Sequence, residues 1–173
     1  MHPKESYSDF QTSIATYVAS LENYTEESFV SKKDEETWSL GQLFNHLHNS
    51  ARNFHFKMIE KCLSDNENEK ELKTEEGVQL FLTNSFPDIE IKIAPSTQYT
   101  PPQPSLKAEV KEKLLRLEQD AKHFISKIEE SNSTGKMKHF IFGFLSAPEW
   151  FQLIGLHYRH HLKQKLKLEN LIT

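Results

Sequence analysis

The sequence has few of the residues that build disulfide-rich and nucleotide-binding proteins. Its 173 residues include one cysteine, Cys62, which excludes an internal disulfide and a cysteine-rich zinc module. The five glycines are widely scattered and form no glycine-rich loop of the kind that cradles nucleotide phosphates. Disulfide scaffolds and ordinary nucleotide-binding folds are therefore poor candidates for this chain.

The sequence also lacks an excess of one charge and lacks long apolar runs. Lys and Arg number 21 and Asp and Glu 25, so the formal charge is −4, with both signs spread along the chain. This balance offers no basic surface for nucleic acid and no polybasic patch for a membrane. No apolar run approaches the length of a spanning helix, and the first residues lack the apolar core of a secretion signal. We expect a cytoplasmic protein that binds neither nucleic acid nor membrane.

The apolar residues that are present recur at the 3.6-residue spacing of amphipathic helices. Their pattern predicts four helices, at about Tyr7–Tyr24, from just after Trp38 to Leu63, Ser105–Glu130 and Ser146–Leu168. The second and fourth start with capping boxes, Ser39 with Gln42 and Ser146 with Glu149. Trp38 and Trp150 are predicted to be core anchors near these helix starts. The length and composition suit one globular domain over residues 1–173.

The buried stripe of the second helix follows from the same spacing. It is predicted to contain Leu40, Leu43, Phe44, Leu47, Ala51, Phe54 and Met58. After this helix comes a long connection, residues 65–104, in which Glu75–Leu82 is predicted as a short helix. The rest is proline-rich and extended, with Ile89, Ile91 and Ile93 alternating. Such a long connection is often functional, and we interpret it as a crossover between helices of an up-down arrangement.

The histidines are the most informative residues. There are nine, and His157 and His161 are four apart on the predicted fourth helix, so both side chains lie on one face, close enough to share a metal ion. Tyr158 occupies the position where the zincin type of protease has a glutamate, so that mechanism is unsupported. His160 lies about 100° around the helix from His161 and is not expected to join the pair.

A third ligand can come from the second helix, but spacing alone does not select it. His46 flanks the apolar stripe, and Asn49 extends a polar edge three residues later. His48 and His55 lie on a different flank, seven residues apart. By their positions, His46 and His48 are comparable candidates, and a lone histidine beside an apolar stripe is usually a structural residue and not a metal ligand.

Two sequence blocks resemble a known family. The stretch WSLGQLFNHL and the stretch FGFLSAPEWFQLIGLHYRHHLKQ are similar to blocks of the DinB superfamily (DinB/YfiT-like proteins), and IKIAPSTQYTP is similar to its extended segment. The matches span about Trp38 to Leu168. One departure is that Phe140 follows His139 where related sequences often have proline.

The resemblance implies an all-α fold, an up-down four-helix bundle with one long crossover connection, which is often a homodimer. It also implies one divalent metal ion, zinc or nickel, held by His46, His157 and His161. Gln164 matches the glutamine of the family, and we consider Asn49 and Gln164 as side chains that support the ligands. No catalytic residue is identified.

Three imidazoles leave coordination positions open for water or substrate, which is typical of a catalytic metal site. We therefore expect a hydrolase or a thiol-dependent transferase (of the bacillithiol type) that acts on a small electrophilic substrate, with a low-molecular-weight thiol as a second cofactor in the latter case. The alternative is a non-catalytic metal-binding or dimeric helical-bundle module.

Overall fold

The computed structural model describes residues 1–86 and 100–172. In chain order, its helices and strands are α1 (Pro3–Ser20), a 3₁₀ turn (Leu21–Asn23), α2 (Glu26–Val30), α3 (Leu40–Ser50), a π-helical segment (Ala51–His55), α4 (Phe56–Ser64), α5 (Glu75–Thr83), α6 (Lys107–Glu130), β1 (Lys136–His139), β2 (Gly143–Ser146) and α7 (Ala147–Ile172). None of the helices in these ranges is long and apolar enough to cross a membrane.

The expectation of a mostly helical protein is confirmed. The four predicted long helices correspond to α1, to α3 with α4, to α6 and to α7, and α5 is the predicted short helix. Helix α1 packs against α6 and α7, α3 packs against the same two helices, and α4 packs against α7. The alternating isoleucines of the predicted crossover, and the segment IKIAPSTQYTP up to residue 99, lie outside the described residues.

Aromatic rings fill the centre of this helix packing. Phe10 of α1 and Tyr158 of α7 meet edge to face with ring centroids 5.3 Å apart, and Tyr17 meets Phe44 of α3 at 5.2 Å. The Tyr17 hydroxyl donates to the Tyr158 carbonyl oxygen over 3.0 Å, which adds a directional contact between α1 and α7. These rings are fully buried, so the core holds α7 firmly against α1 and α3.

The structure contains both reciprocal hydrogen bonds of the capping box at α3, whereas at α7 it contains the bonds that Glu149 accepts. At α3, the Ser39 hydroxyl accepts from the Gln42 N–H and the Gln42 side chain accepts from the Ser39 N–H, both at 3.0 Å. At α7, the Glu149 carboxylate accepts from the N–H and the hydroxyl of Ser146 at 2.9 Å. Both predicted helix starts are therefore confirmed within one residue.

The predicted stripe of the second helix is wrong at Phe54, whereas the predicted Met58 is half-buried and packs against the core. The Phe56 N–H bonds to the Ala51 carbonyl, five residues back, so a π turn adds one residue to the helix. This extra residue rotates the following side chains: Phe54 is 37% exposed, whereas His55 is 5% and Phe56 1% exposed. The prediction that His55 shares the flank of His48 fails for the same reason.

A β-hairpin that the sequence pattern did not predict precedes α7. Strand β1 pairs antiparallel with β2, from Lys136 opposite Ser146 to His139 opposite Gly143. The His139 Nδ1 atom accepts from the N–H groups of Ile141 and Phe142 at 3.1 and 3.2 Å, which closes the turn. Gly143 has φ +74°, and a Cβ there would lie 2.6 Å from the Thr74 nitrogen, so the segment before α5 packs directly on this strand.

Candidate metal centre

The structure brings three histidines from two helices to one point. His46 of α3 places its Nε2 atom 3.2 Å from Nε2 of His157 in α7, which in turn lies 3.0 Å from Nε2 of His161. One nitrogen from each ring lies within 4.8 Å of the other two, and no other group of three potential metal-binding side chains occurs in the described ranges. All three side chains are half-buried.

Local sequence and core packing position these rings. The Ser39 cap sets the start of α3, and Leu43 and Leu47 are fully buried on either side of His46, so this histidine lies at the edge of the core and faces α7. On α7, the four-residue spacing stacks His157 and His161 on the same face. The convergence therefore depends on both the helical period and the packing of α3 against α7.

The spacing of the nitrogen atoms suits a single metal ion. Two imidazole nitrogens bonded to one zinc ion at about 2.0–2.1 Å are about 2.8–3.4 Å apart for bond angles between right-angled and tetrahedral. The observed 3.0 and 3.2 Å lie in this interval. Neutral imidazoles that point lone pairs at one another repel, so a cation at the centre would stabilise the arrangement.

The surroundings keep the rings neutral, which is the form that binds metal. Burial lowers the pKa of His46 to about 4. Burial, together with the neighbouring His46, lowers the pKa of His161 to about 3, against an opposing contribution from Gln164. Burial first, and then His161 and His46, hold the pKa of His157 well below its ordinary value. At neutral pH all three histidines offer a lone pair without losing a proton.

Gln164 supports one of the three rings directly. Its Oε1 atom lies 2.7 Å from Nδ1 of His161, so the ring carries its proton on Nδ1 and directs the lone pair of Nε2 toward the centre. Asn49, in contrast, has its Oδ1 atom 3.1 Å from Nδ1 of His48 and makes no described contact with the three histidines. Of the two side chains expected near the ligands, the structure brings only Gln164 to them.

The remaining candidate histidines are not part of the three-histidine cluster, although the His160 ring centroid lies 5.2 Å from that of His161. His48 lines a cleft of about 420 Å³ between α3 and α6, whose walls carry charges of both signs, including the Arg52–Asp120 ion pair at 3.3 Å. His160 is exposed and its ring centroid lies 4.8 Å from that of Phe86. The mixed charges of this cleft and its single histidine give it no metal-binding chemistry.

Sequence reasoning missed two side chains beside the centre. Trp38 was predicted as a core anchor but is half-buried, and its ring centroid lies 5.2 Å from that of His46. His55 is buried with its ring centroid 5.7 Å from that of His157, and burial, His139 and His46 lower its pKa to about 3. Eight residues separate Trp38 from His46, but Ser39 has an extended backbone and α3 begins at Leu40, so the helical period could not predict this contact.

Cys62 has the properties of a bystander. It is buried, its Sγ atom lies 3.5 Å from the Leu145 carbonyl oxygen, and burial raises its pKa to about 11. A thiol that stays protonated at neutral pH is a weak nucleophile and a weak metal ligand.

The comparison with protein families agrees with this geometry. A sequence model of the DinB superfamily matches residues 9–164, which contain all three histidines and Gln164. The chain belongs to the DinB superfamily. No curated protein and no solved structure matches it significantly. Membership in the DinB superfamily and the three-histidine cluster together fit a protein that can bind a metal ion.

Proposed function

We propose that this DinB-superfamily protein is a metal-dependent enzyme that binds one divalent ion, zinc or nickel, through His46, His157 and His161. The observation that carries the proposal is the convergence of three neutral imidazoles with Nε2 atoms 3.0 and 3.2 Å apart. Imidazole ligands suit both metals, and three of them leave coordination positions free for a substrate or water.

The proposed reaction is hydrolysis, or transfer of a low-molecular-weight thiol, on a small electrophilic substrate. A bound divalent ion supplies Lewis acidity and lowers the pKa of a water or thiol at the site. The chain's own residues would orient and shield the metal-binding imidazoles. Gln164 holds the Nδ1 proton of His161, and the Trp38 ring lies beside His46. Burial keeps the imidazoles neutral, so they remain available at neutral pH.

We also propose the up-down four-helix arrangement with a long crossover, which the packing of α1 and α3 against both α6 and α7 supports. A homodimer and a cytoplasmic location stay predictions. Sedimentation velocity on the full chain decides between a homodimer of twice 20.2 kDa and a monomer.

The first experiment measures metal content by elemental mass spectrometry on protein purified without a histidine tag. We expect about one zinc or nickel ion per chain, and a loss of that ion in His157→Ala. His160→Ala is the matched control, because it removes an exposed imidazole from the same helix, beside His161. No metal in the unmodified protein, even after incubation with zinc and nickel, would refute the proposal.

If metal is bound, activity separates a catalytic ion from one that only ties α3 to α7. An enzyme should hydrolyse or conjugate small electrophiles, with and without added thiol, and should lose this activity in His157→Ala but not in His160→Ala. A metal that raises stability without any turnover would support the non-catalytic alternative instead.

A further inference from the structure

His55 is a buried imidazole whose position depends on the π-helical segment. In a regular α-helix, Phe54 and not His55 would continue the inward stripe of Leu47 and Ala51. The extra residue of the π turn exposes Phe54 and buries His55, which is 5% exposed. π segments of this kind occur frequently at functional sites, because they change which side chain an otherwise regular helix directs inward.

Two rings of α7 lie beside His55, in addition to the adjacent Phe54. The His55 ring centroid lies 5.7 Å from that of His157, with the ring planes at 76°, and 5.9 Å from that of Trp150. His55 is therefore a buried neighbour of His157, whose Nε2 atom takes part in the candidate metal centre.

Two unpartnered nitrogen atoms belong to this pair of rings. Among the described residues, buried side-chain atoms without a hydrogen-bond partner are Nδ1 of His55, Nδ1 of His157 and the hydroxyl of Tyr158. Buried polar groups are rarely left unpaired, and here two of them lie on adjacent imidazoles. The two Nδ1 atoms make no direct hydrogen bond with each other, and an imidazole nitrogen can donate or accept according to tautomer, so one bridging water molecule would satisfy both.

The protonation that a metal-binding histidine needs determines which of the two rings donates the hydrogen bond and which accepts it. A ring that binds metal through Nε2 carries its proton on Nδ1, and that N–H needs an acceptor to fix the tautomer and ring orientation. His161 has this acceptor in Gln164 at 2.7 Å, whereas His157 has none among the described residues.

We propose that His55 is a positioning residue for His157: its Nδ1 lone pair accepts, through one buried water molecule, the hydrogen bond of the His157 Nδ1–H. His55 then carries its own proton on Nε2. The bridge holds His157 in the tautomer that directs the Nε2 lone pair toward His46 and His161. The proposal rests on the proposed metal binding, which it extends by assigning a role to the π turn.

The test compares two replacements of His55. His55→Phe keeps a ring but removes the acceptor, and His55→Gln restores a side-chain acceptor. The control His48→Phe removes a half-buried imidazole from the same helical stretch whose described contact is Asn49. Zinc affinity is measured by competition with a chromophoric chelator, and the tautomer of His157 by ¹⁵N NMR of histidine-labelled protein, both free of metal and loaded with zinc.

We expect His55→Phe to weaken zinc binding by about 10- to 100-fold and to shift His157 away from the Nδ1–H tautomer. His55→Gln should recover most of the affinity and the tautomer, and His48→Phe should match the unmodified protein. Unchanged affinity and tautomer in His55→Phe would overturn the proposal, as would equal losses in His55→Phe and His55→Gln, which would indicate a purely steric role.

The outcomes for the two proposals are distinguishable. If the unmodified protein binds no zinc or nickel, the metal-dependent function fails, while the tautomer of His157 in metal-free His55→Phe still decides whether His55 orients this ring. If zinc binds in the unmodified protein and His55→Phe is indifferent, only the role of His55 fails.

Discussion

At the scale of single residues, the side chain of His139 acts as the hydrogen-bond acceptor for backbone N–H groups in the hairpin turn. It is 6% exposed, and its Nδ1 atom accepts from the N–H groups of Ile141 and Phe142. Its ring also packs between the rings of Phe140 and Phe142, with both centroids 4.5 Å away. His139 therefore stabilises the hairpin turn through both its ring nitrogen and its ring packing.

Replacing His139 by phenylalanine should destabilise the protein. The ring packing is preserved, but two N–H groups lose their acceptor, which costs about 1–3 kcal/mol for an unsatisfied buried group. Urea denaturation at neutral pH measures the change in the free energy of unfolding. His139→Asn, which keeps an acceptor near the turn, should cost less, and equal stability of His139→Phe and the unmodified protein would contradict this account.

The buried histidines also predict how stability depends on pH. Burial lowers the pKa of His46 and His139 to about 4, and lowers that of His55 and His161 to about 3. In the unfolded chain these side chains titrate near pH 6.5. Between these limits the unfolded state binds more protons than the folded state, so the stability contribution is complete above pH 6.5 and is lost as the pH falls toward 4.

We therefore expect the free energy of unfolding of the metal-free protein to fall by more than about 1 kcal/mol between pH 7.5 and 5. This interval lies above the ordinary titration range of carboxylates, so histidines dominate it. Urea denaturation at several pH values makes the measurement, and His139→Asn should reduce the slope whereas His160→Ala should change it less. A free energy that is constant over the interval would show that the imidazoles are not desolvated.

At the scale of elements, the π turn decides which aromatic side chain of the second long helix enters the core. Phe56 is 1% exposed and stacks on Phe124 of α6 at a centroid distance of 4.3 Å. Phe54 is 37% exposed, although the regular helical period predicts that it is buried.

Alanine substitutions of Phe56 and Phe54 distinguish a helix that contains the π turn from a regular α-helix. Phe56→Ala should lower the free energy of unfolding by about 3–5 kcal/mol, since it leaves a cavity beside Phe124. Phe54→Ala should cost clearly less, about 1–2 kcal/mol, because this residue is already 37% exposed. Chemical denaturation of both variants makes the comparison, and the reverse order of the two losses would mean that the helix is regular in solution.

At the scale of the whole molecule, the candidate metal centre joins α3 to α7. His46 and His157, which it brings together, are 111 residues apart in the chain. A ligand that binds only the folded state adds RT ln(1 + [L]/Kd) to its stability, or about 2.7 kcal/mol at 100 times Kd. We expect zinc or nickel to raise the melting temperature of the protein, and a chelator to reverse the increase.

The thermal measurement uses the same two variants of α7 as the metal analysis, His157→Ala and His160→Ala. His157→Ala should show no metal-dependent increase, while His160→Ala should show the full one. An equal increase in both variants would locate metal binding outside the three-histidine cluster.

The sequence by itself determined the features that depend on nearby residues. The helical period defines the four long helices and α5, the caps define where α3 and α7 begin, and the four-residue spacing places His157 and His161 on one face. Each of these follows from contacts within one or two turns of chain, which composition and spacing encode directly.

Only the tertiary structure decided the rest, because it depends on packing between segments that are distant in sequence. Spacing left His46 and His48 as comparable partners for the pair on α7, and the packing of α3 on α7 brings His46 to the pair and turns His48 toward α6. The π turn, which exchanges Phe54 for His55, has no signal in the periodicity, since a single added residue preserves an apolar pattern on both sides. Helix formation is local, but which side chains meet at a shared point is a property of the packed core.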